Sequence, residues 1–383
     1  MLPGLARLHG YGHVVDVAAV RAADLECGIV APTIWRRPSL LHGAAMDALN
    51  SCISGEGEPQ LRLTIAAVAC AGSGVICGIP VHQLREDSIT ELNLSNRGLH
   101  VPAAMLVASL IPATSVLKSC NLLKNRFDVE LAKKLAKIGA EKGIMLSGMT
   151  CDQPEADFTN GGLQPTDAIL IASDLQSMAV LTRFYLNGNN IGPEGAIAIA
   201  EALKVNAVLT KLDLYLDGNN IGDDGAKAIA EALKVNAVLT ELWLGGNKIG
   251  DEGAIAIADA LKSGTADLTF LDLRNINIGV DGSKAIAEAL KVNAVVTTLF
   301  LGGNNIGDEG AIAIAEALQV TAALTNLELR LSSIGDDGAK AIAEALKVNA
   351  VLTKLWLGGN GMGDAGNQAV RNAVKGRLFF IST

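Results

Sequence analysis

One stretch of sequence recurs along the chain and decides its fold. It is first seen as AVLTRFYLNGNNIGPEGAIAIAEALKVN at residues 179–206. Six similar repeats follow, which start at Ala207, Ala237, Thr265, Ala294, Ala322 and Ala350. Five of the seven repeats have 28 residues, whereas the Ala207 repeat has two extra residues and the Thr265 repeat has one. Self-similarity at such a period predicts a solenoid, in which each repeat buries its apolar side against its neighbours.

Each repeat opens with the pattern LxxLxLxxNxI. In the first repeat the pattern residues are Leu181, Phe184, Leu186, Asn189 and Ile191. The period-two spacing of its middle pair predicts a short strand whose apolar side chains face inward. The Ala-rich run that follows, AIAIAEALKVN in the first repeat, predicts a helix. Each repeat is therefore expected to run strand, turn, helix and return.

Adjacent carboxylates recur in the turn before the helix. They are Asp223 with Asp224, Asp251 with Glu252, Asp308 with Glu309, and Asp336 with Asp337. A calcium or acid/base role requires carboxylates that converge on one pocket, whereas these are sequence neighbours copied in successive layers. Helix capping by residues such as Asp251 and Asp308, with the second acid in the favourable first turn, explains both positions.

These features resemble leucine-rich repeats. The 28-residue length, the GDxGAxAIAEAL helix and the alternation of WLGGN repeats with DLR or ELR repeats are similar to the ribonuclease-inhibitor-like class, which includes NOD-like receptors and the Ran GTPase-activating protein. The resemblance implies an α/β leucine-rich-repeat solenoid (horseshoe) with parallel strands on the concave face and helices on the convex face.

The resemblance also implies a buried ladder built from the repeated asparagine. The residues that match it are Asn189, Asn219, Asn247, Asn304 and Asn360. Ile276 and Ser332 occupy the same place in two other repeats, and we expect the ladder to be interrupted there.

Weaker copies of the strand pattern precede the regular repeats, around Leu92, Cys120 and Phe158. The solenoid is therefore expected to start near residue 88 and to cover about three quarters of the chain. The predicted division is a non-repeat N-terminal cap or anchor segment at 1–87, degenerate leucine-rich repeats at 88–178, seven regular repeats at 179–377 and a C-terminal tail at 378–383.

The first 87 residues do not repeat. Two short helices are predicted around 14–26 and 39–53, as a cap over the exposed apolar edge of the first repeat. Residues 63–81 carry no charge and are just long enough to cross a bilayer. Glycine and serine in the middle of this segment favour a buried helix or strand pair, and a membrane anchor stays open as the alternative.

Composition excludes several classes of function. A formal net charge of −9 argues against nucleic acid as a partner. All six cysteines and all five histidines lie at or before residue 151, so the regular repeats contain no thiol nucleophile and no imidazole base. No CxxC pair occurs, and we expect free thiols in the cytoplasm or another reducing intracellular compartment. We therefore expect no enzyme, no cofactor and no catalytic or metal-binding residues.

Strand alternation turns one residue of each regular repeat outward between two inward positions. These residues are Tyr185, Asp213, Trp243, Asp272, Phe300, Glu328 and Trp356, with an ambiguity at the inserted Tyr215. Strands about 4.8 Å apart would place the rings of alternate layers roughly 10 Å from one another. In the next outward row Gly245, Gly302 and Gly358 are expected to leave the neighbouring rings accessible, although the rings could instead cover neighbouring strands.

Exposed aromatics flanked by arginines and acids are typical of protein-binding hot spots. The sequence thus predicts a non-enzymatic scaffold that binds another protein on its concave acidic and aromatic face. The predicted partner-binding residues are Tyr185, Asp213, Trp243, Asp272, Arg274, Phe300, Glu328, Arg330 and Trp356. Two alternatives are a structural subunit of a membrane-associated complex, anchored through residues 63–81, and, by the family resemblance, a regulator of a small GTPase.

Overall fold

The structure is a computed structural model, and it describes residues 5–7, 14–16, 75–76, 78–206, 212–265 and 267–383. The chain divides into two compact parts, residues 1–148 and residues 149–383. We call them the N-terminal body and the C-terminal body and describe each by itself. This division falls inside the predicted 88–178 segment, and the predicted division into four segments stays a prediction.

The described residues of the N-terminal body form three pairs of short strands. Antiparallel pairing joins β1 (Leu5–Arg7) to β2 (Val14–Asp16) and β3 (Val75–Ile76) to β4 (Ile79–Pro80). Parallel pairing joins β5 (Glu91–Asn93) to β6 (Ser119–Asn121). The helices of this body are α1 (Val81–Arg85), α2 (Val101–Leu110) and α3 (Val129–Lys142).

The helix predicted at 14–26 is wrong at its start, because Val14–Asp16 forms a strand. Two adjacent valines favour a strand over a helix, since β-branched side chains lose rotamer freedom in a helix. The rest of 14–26 and all of 39–53 lie outside the described residues. So does most of 63–81, and the described residues at its end form the β3–β4 pair. No helix in the described ranges combines the length and the apolar character needed to cross a membrane.

The N-terminal body contains two of the weaker repeats, which share one asparagine bridge. The amide of Asn125 donates to the carbonyl oxygens of Leu94 at 2.9 Å and Leu122 at 2.8 Å. Its Oδ1 accepts from the backbone N–H groups of Arg97 at 3.1 Å and Leu99 at 3.0 Å. Two loops 28 residues apart are therefore joined by one side chain, as the repeat pattern predicts.

The C-terminal body is built on one sheet of nine strands that lie side by side in chain order. The strands are β7 (Glu155–Asp157), β8 (Arg183–Tyr185), β9 (Leu212–Tyr215), β10 (Leu239–Trp243), β11 (Phe270–Asp272), β12 (Thr298–Phe300), β13 (Asn326–Glu328), β14 (Lys354–Trp356) and β15 (Phe380–Ser382). Every neighbouring pair is parallel. The predicted α/β solenoid is confirmed.

One helix follows each strand from β7 to β14. The helices are α4 (Pro165–Leu175), α5 (Gly192–Val205), α6 (Gly222–Leu233), α7 (Asp251–Lys262), α8 (Val280–Leu290), α9 (Gly307–Leu318), α10 (Asp336–Val348) and α11 (Asp364–Ala373). Adjacent helices approach closely: a Cβ on Gly253 would lie 2.5 Å from Ile249 and 2.9 Å from Ala226. The repeated glycine of GDEGA is therefore required by helix packing rather than by a turn.

The next-to-last residue of each strand from β7 to β14 points into the core, as the alternation predicts. These buried residues are Ala156, Phe184, Leu214, Leu242, Leu271, Leu299, Leu327 and Leu355. Small alanines and an isoleucine of the helices α4 to α10 are buried on the inner side of the sheet, except that Ser283 replaces one alanine in α8; in α7 they are Ala254, Ile257 and Ala258. Burial of these side chains is the main stabilising contribution to each layer.

The predicted asparagine ladder is present in the C-terminal body. The amide of Asn247 donates to the carbonyl oxygens of Leu216 at 2.8 Å and Leu244 at 2.9 Å. Corresponding pairs of carbonyls are bridged by Asn189, Asn219, Asn304 and Asn360. The ladder is interrupted where expected, at the buried Ile276 and at Ser332, whose hydroxyl donates only to the carbonyl of Arg330 among its described partners.

A second buried asparagine ladder was not predicted. It is formed by the asparagine of the KVN triplet after the helix, at Asn206, Asn236, Asn293 and Asn349. The amide of Asn236 donates to the carbonyl of Leu203 at 3.0 Å, and its Oδ1 accepts from the N–H of Leu239 at 3.0 Å. The recurrence of KVNA was the available signal, and it was interpreted only as the end of a helix.

The repeated acids do not cap their own helices. Asp223 Oδ1 accepts from the N–H groups of Gly250 at 3.0 Å and Gly253 at 2.7 Å, at the start of the next helix, α7. Equivalent bonds run from Asp251 to α8, from Asp308 to α10 and from Asp336 to α11. The expectation that Asp251 and Asp308 cap α7 and α9 is therefore wrong, because each carboxylate lies beside the helix of the following repeat.

Candidate functional site

The outward side of the nine-stranded sheet, which we call the strand face, carries three rows of residues. The first row is Glu155, Arg183, Asp213, Glu241, Phe270, Thr298, Asn326, Lys354 and Phe380. The second row is Asp157, Tyr185, Tyr215, Trp243, Asp272, Phe300, Glu328, Trp356 and Ser382. The third row, just beyond the strands, is Thr159, Asn187, Asp217, Gly245, Arg274, Gly302, Arg330 and Gly358.

The structure corrects the position of Asp213. This residue lies in the first row, opposite Arg183 and Glu241, whereas Tyr215 lies in the second row between Tyr185 and Trp243. The two extra residues of the Ala207 repeat shift the strand by one full step of the alternation. The inward and outward sides are unchanged by this shift, but each outward side chain moves to the neighbouring row.

Seven aromatic rings form one continuous row across the strand face, which we call the aromatic row. Its members are Tyr185, Tyr215, Trp243, Phe270, Phe300, Trp356 and Phe380. The first four rings are stacked, with successive centroids 4.5, 5.4 and 4.3 Å apart. The later rings meet edge to face or tilted, at 5.1, 6.0 and 5.5 Å. All are half-buried except Phe380, which is 51% exposed.

The expectation of roughly 10 Å between rings of alternate layers is wrong for Phe300 and Trp356, whose centroids lie 6.0 Å apart. Phe270 fills the space between Trp243 and Phe300, and Trp356 reaches Phe300 directly. The rings cover neighbouring strands while keeping part of their surface open. Sequence reasoning missed Phe270 and Phe380, because they lie in the first row and the predicted site comprised only the second and third rows. Their spacing, two residues before Asp272 and Ser382, was the available signal.

Three of the predicted partner-binding carboxylates are buried: Asp272 is 0% exposed, Glu328 2% and Asp213 5%. The guanidinium of Arg274 forks onto both oxygens of Asp272. Arg330 donates from Nε to Glu328 at 2.8 Å. The hydroxyl of Thr240 donates to Asp213 at 2.6 Å. The expected display of these acids is wrong, since a buried carboxylate is stable only when donors surround it.

Two glycines of the third row, Gly245 and Gly302, make room for carboxylates. The N–H of Gly302 donates to Glu328 Oε2 at 2.9 Å, and a Cβ on Gly302 would collide with that carboxylate. The N–H of Gly245 donates to Asp217 Oδ1 at 2.9 Å, and a Cβ there would lie 2.8 Å from the same atom. Gly245 and Gly302 thus serve the buried acids of the strand face.

Arg274 lies at the centre of the strand face. Its hydrogen bonds to Asp272 raise the pKa of the guanidinium further, so the charge is permanent. The same guanidinium lies over the Phe300 ring, 5.1 Å from its centroid. This contact adds a cation–π attraction to the ion pair and holds the arginine against the aromatic row.

Asp217 is a carboxylate of this face whose pKa is raised. Burial raises its pKa to about 6, and the negative charge of Asp272 acts in the same direction. The hydrogen bond from Gly245 and the charge of Arg274 oppose that shift only in part. Nearby, burial and then the charge of Glu241 raise the pKa of Tyr215 to about 12, which keeps its hydroxyl protonated.

Metal-ligating and thiol-bearing side chains of the described residues are distributed rather than grouped. Among them no three histidine, cysteine, aspartate or glutamate side chains are grouped so that they could hold a metal ion. Two described cysteines carry free thiols, the buried Cys120 and the exposed Cys151. Burial raises the pKa of the Cys120 thiol to about 12, so it stays protonated.

Comparison with known proteins identifies the repeats. The family profile described as "Leucine Rich repeat" matches residues 178–200, 205–230, 235–258, 292–315 and 323–343. Each matched segment lies in the C-terminal body, along successive repeats of strand, loop and helix. No protein with a curated description matches the chain in sequence.

Three solved structures illustrate the likeness in fold. Leiomodin-1 actin-binding site 2 is 23% identical over 34% of this chain and 79% of that chain, with a TM-score of 0.30. An internalin from Listeria monocytogenes is 15% identical over 89% of this chain and 95% of that chain, with a TM-score of 0.39. The structure of the Rad7 and Elc1 complex in yeast is 14% identical over 95% of this chain and 92% of that chain, with a TM-score of 0.35.

All three TM-scores lie below 0.5, so the family assignment depends on the sequence match and on the repeat geometry. The ribonuclease-inhibitor-like class stays a prediction. The matched repeats, the parallel sheet with one strand per repeat and the buried asparagine ladder agree with one another. The C-terminal body contains leucine-rich repeats.

Proposed function

We propose that this protein is a non-enzymatic interaction scaffold that binds another protein on its strand face. The observation that carries the proposal is the aromatic row, in which seven adjacent rings cross the sheet while remaining partly open to solvent. A soluble surface rarely groups so many large apolar side chains unless something covers them. Aromatic side chains are also the commonest anchors of protein interfaces.

The rings are held in place before any partner arrives. Each ring contacts its neighbour at a centroid distance between 4.3 and 6.0 Å, and Arg274 braces Phe300 from one side. Side chains that are already ordered lose little conformational entropy on binding. The aromatic row is therefore better suited to tight binding than a set of isolated, mobile rings.

The arginines of the strand face add polar specificity. Arg274 and Arg330 are each oriented by a buried carboxylate, and Arg330 remains exposed. Guanidinium groups in fixed orientation form directional hydrogen bonds with acceptors on a partner. Aromatic anchors beside such arginines match the composition of binding hot spots.

The helix side of the C-terminal body is a weaker candidate. Ion pairs between successive repeats cover it, such as Lys227 with Glu252 at 2.6 Å and Lys284 with Glu309 at 2.8 Å. A partner that covered these pairs would have to remove water from both charges, which costs free energy that the pair returns only in part. The strand face therefore leads, in agreement with the predicted concave interface.

Two other functions stay predictions. A membrane anchor at 63–81 falls mostly outside the described residues. Regulation of a small GTPase follows from the family resemblance alone, and a comparison of GTP hydrolysis by candidate GTPases with and without the protein would test it.

Capture of the native partner from cell extract tests the proposal. We expect Trp243→Ala with Trp356→Ala to weaken capture at least about tenfold, as truncation of hot-spot aromatics does. Because the rings support one another, Trp243→Phe with Trp356→Phe, which keeps an aromatic contact, should retain most of the binding. Val292→Ala, at an exposed position outside the strand face, is the matched control. Unchanged capture by a folded alanine variant would exclude the strand face.

A further inference from the structure

Charge is divided unevenly along the strand face. The half formed by β7–β10 carries five carboxylates and one cation, namely Glu155, Asp157, Asp213, Asp217 and Glu241 against Arg183. The half formed by β11–β15 carries two carboxylates and three cations, namely Asp272 and Glu328 against Arg274, Arg330 and Lys354. One continuous aromatic row therefore runs from an acidic half to a weakly cationic half.

Three acids of the first half, Asp157, Asp217 and Glu241, have no basic partner in the described part of the chain. The guanidinium of Arg183 forms an ion pair with the Glu155 carboxylate at 2.6 Å. Asp157 accepts from the N–H of Thr159 at 2.8 Å, Asp217 from that of Gly245, and Glu241 from the indole of Trp243 at 3.4 Å. These donors are neutral, and among the described residues no lysine or arginine lies within ion-pair distance of Asp157, Asp217 or Glu241. Their negative charge remains available to a partner.

The second half is electrically different, because its acids are buried and paired. Asp272 and Glu328 face Arg274 and Arg330, whose guanidinium groups they orient. Lys354 lies exposed on β14, beside Trp356. A cationic partner would therefore be attracted by β7–β10 and not by β11–β15.

We infer that the occupant of the strand face is a lysine- or arginine-bearing segment of another protein, with its cations over β7–β10. This inference rests on the proposed function and adds to it the charge and the orientation of the partner. The stems of lysine and arginine are apolar and can lie along Tyr185, Tyr215 and Trp243 while their charges reach the acids. Electron-rich rings attract the same cations. Complementary charge also steers the approach of the partner and sets its direction along the sheet.

Binding of a fluorescently labelled deca-lysine peptide to the full chain, measured by anisotropy at low salt, tests the inference. Asp217→Asn with Glu241→Gln removes two charges from the acidic half. Glu194→Gln with Asp224→Asn removes two charges from exposed first-turn positions of α5 and α6, away from the strand face. We expect about a fivefold weaker affinity for the first variant and less than about a twofold change for the second. Equal losses in the two variants, or no loss in the first, would overturn the inference.

Two further measurements separate the inference from the proposed function. If Trp243→Ala with Trp356→Ala abolishes capture of the native partner while Asp217→Asn with Glu241→Gln leaves it intact, the interface stands and the basic partner is wrong. If both variants lose capture, the interface and the charge assignment are supported together. Sedimentation velocity tests the alternative occupant, a second copy of this chain. A dimer of the unmodified protein that dissociates in the charge variant would replace the basic segment by a second copy.

Discussion

Two repeats with the same local sequence begin their helices differently. Residues 249–253 and residues 306–310 both read IGDEG. Gly250 nevertheless has a φ of −94°, an ordinary value, whereas Gly307 has a φ of +64°, in the left-handed region. The two cases differ one repeat earlier. There the equivalent glycine is followed by Asp223 in the first case and by Val280 in the second.

Hydrogen bonding explains the two conformations. Asp223 accepts from the N–H of Gly250, which turns that group back toward the preceding repeat. Val280 offers no acceptor, and the N–H of Gly307 points forward to the carbonyl of Ser332 at 3.0 Å. A side chain 27 residues away therefore decides the backbone conformation of a local sequence that is the same in both repeats.

The other repeats divide in the same way. In three further repeats the preceding repeat supplies an aspartate acceptor, and the glycine has an ordinary φ. These glycines are Gly279, Gly335 and Gly363, with φ values of −99°, −97° and −82°. In two other repeats the corresponding residue of the preceding repeat is a proline, Pro165 or Pro193, which offers no side-chain acceptor. The glycines of these repeats, Gly192 and Gly222, have φ values of +63° and +65°. The backbone conformation at the start of each helix therefore depends on a side chain of the preceding repeat.

Loss of the carboxylate should have the largest effect on this comparison. Asp223→Ala leaves the N–H groups of Gly250 and Gly253 without their acceptor, and we expect the free energy of unfolding to fall by about 2 kcal/mol. Guanidinium denaturation measures the change. Asp224→Ala, at the exposed neighbouring position, should alter stability by less than about 0.5 kcal/mol. Equal effects of the two substitutions would refute the assignment of the cap to Asp223.

Alanine substitution at Gly307 and at Gly250 should have a smaller effect on stability, and the two losses should differ. Gly307→Ala forces a side chain into the left-handed region and should cost about 1–2 kcal/mol. Gly250→Ala keeps an ordinary φ, and its Cβ would meet Asp223 Oδ2 at 3.3 Å, a contact that a small shift relieves. We expect a smaller loss there, measured by the same denaturation. If Gly250→Ala were the more damaging change, the two conformations would not control stability as described.

Val280→Asp should convert one class of repeat into the other. The new carboxylate can accept from Gly307 and Gly310, and we expect a gain of about 0.5–1 kcal/mol. In that background Gly307→Ala should cost less than it does alone, because the backbone no longer needs a positive φ. A double-mutant cycle measures this coupling, and simple additivity of the two changes would contradict the mechanism.

Substitution of Asp217 should have the smallest effect on stability, and that effect should depend on pH. It also accepts from a glycine N–H of the next repeat, but its pKa is raised to about 6, because burial and Asp272 disfavour its charge. A carboxyl whose pKa is higher in the folded state lowers stability as the pH rises from about 4 to 6, since the folded state then binds more protons than the unfolded state. Asp217→Asn should therefore raise the melting temperature at pH 7.5 and leave it nearly unchanged at pH 4. An equal rise at both pH values would mean that charge is not the cause.

Sequence reasoning predicted the repeating parts of the molecule well. Leu242 and Leu271 are buried as the alternation requires, and Asn247 bridges two loops. These predictions succeeded because each depends on spacing within one repeat, and the repeats support one another through their near identity.

The candidate site was predicted less completely. The second row was expected to display acids, yet Asp272 and Glu328 are buried beneath their own arginines. Phe270 was not recognised as part of the surface, although it joins Trp243 to Phe300. The first error concerns ion pairs within one repeat, which strand alternation does not reveal. The second concerns a contact across strands, which depends on the row of each residue and on the size of its neighbours in adjacent repeats.

The sequence by itself determined that this protein is a solenoid of strand and helix, because period and alternation are properties of the chain, and the family resemblance added the asparagine ladder. The tertiary structure alone decided which acids are buried, how the rings combine into one row and which glycines adopt a positive φ. The physical reason is the same in each case. A hydrogen bond or ring contact between repeats joins residues about 28 positions apart, and its energy depends on the partner that stacking brings alongside.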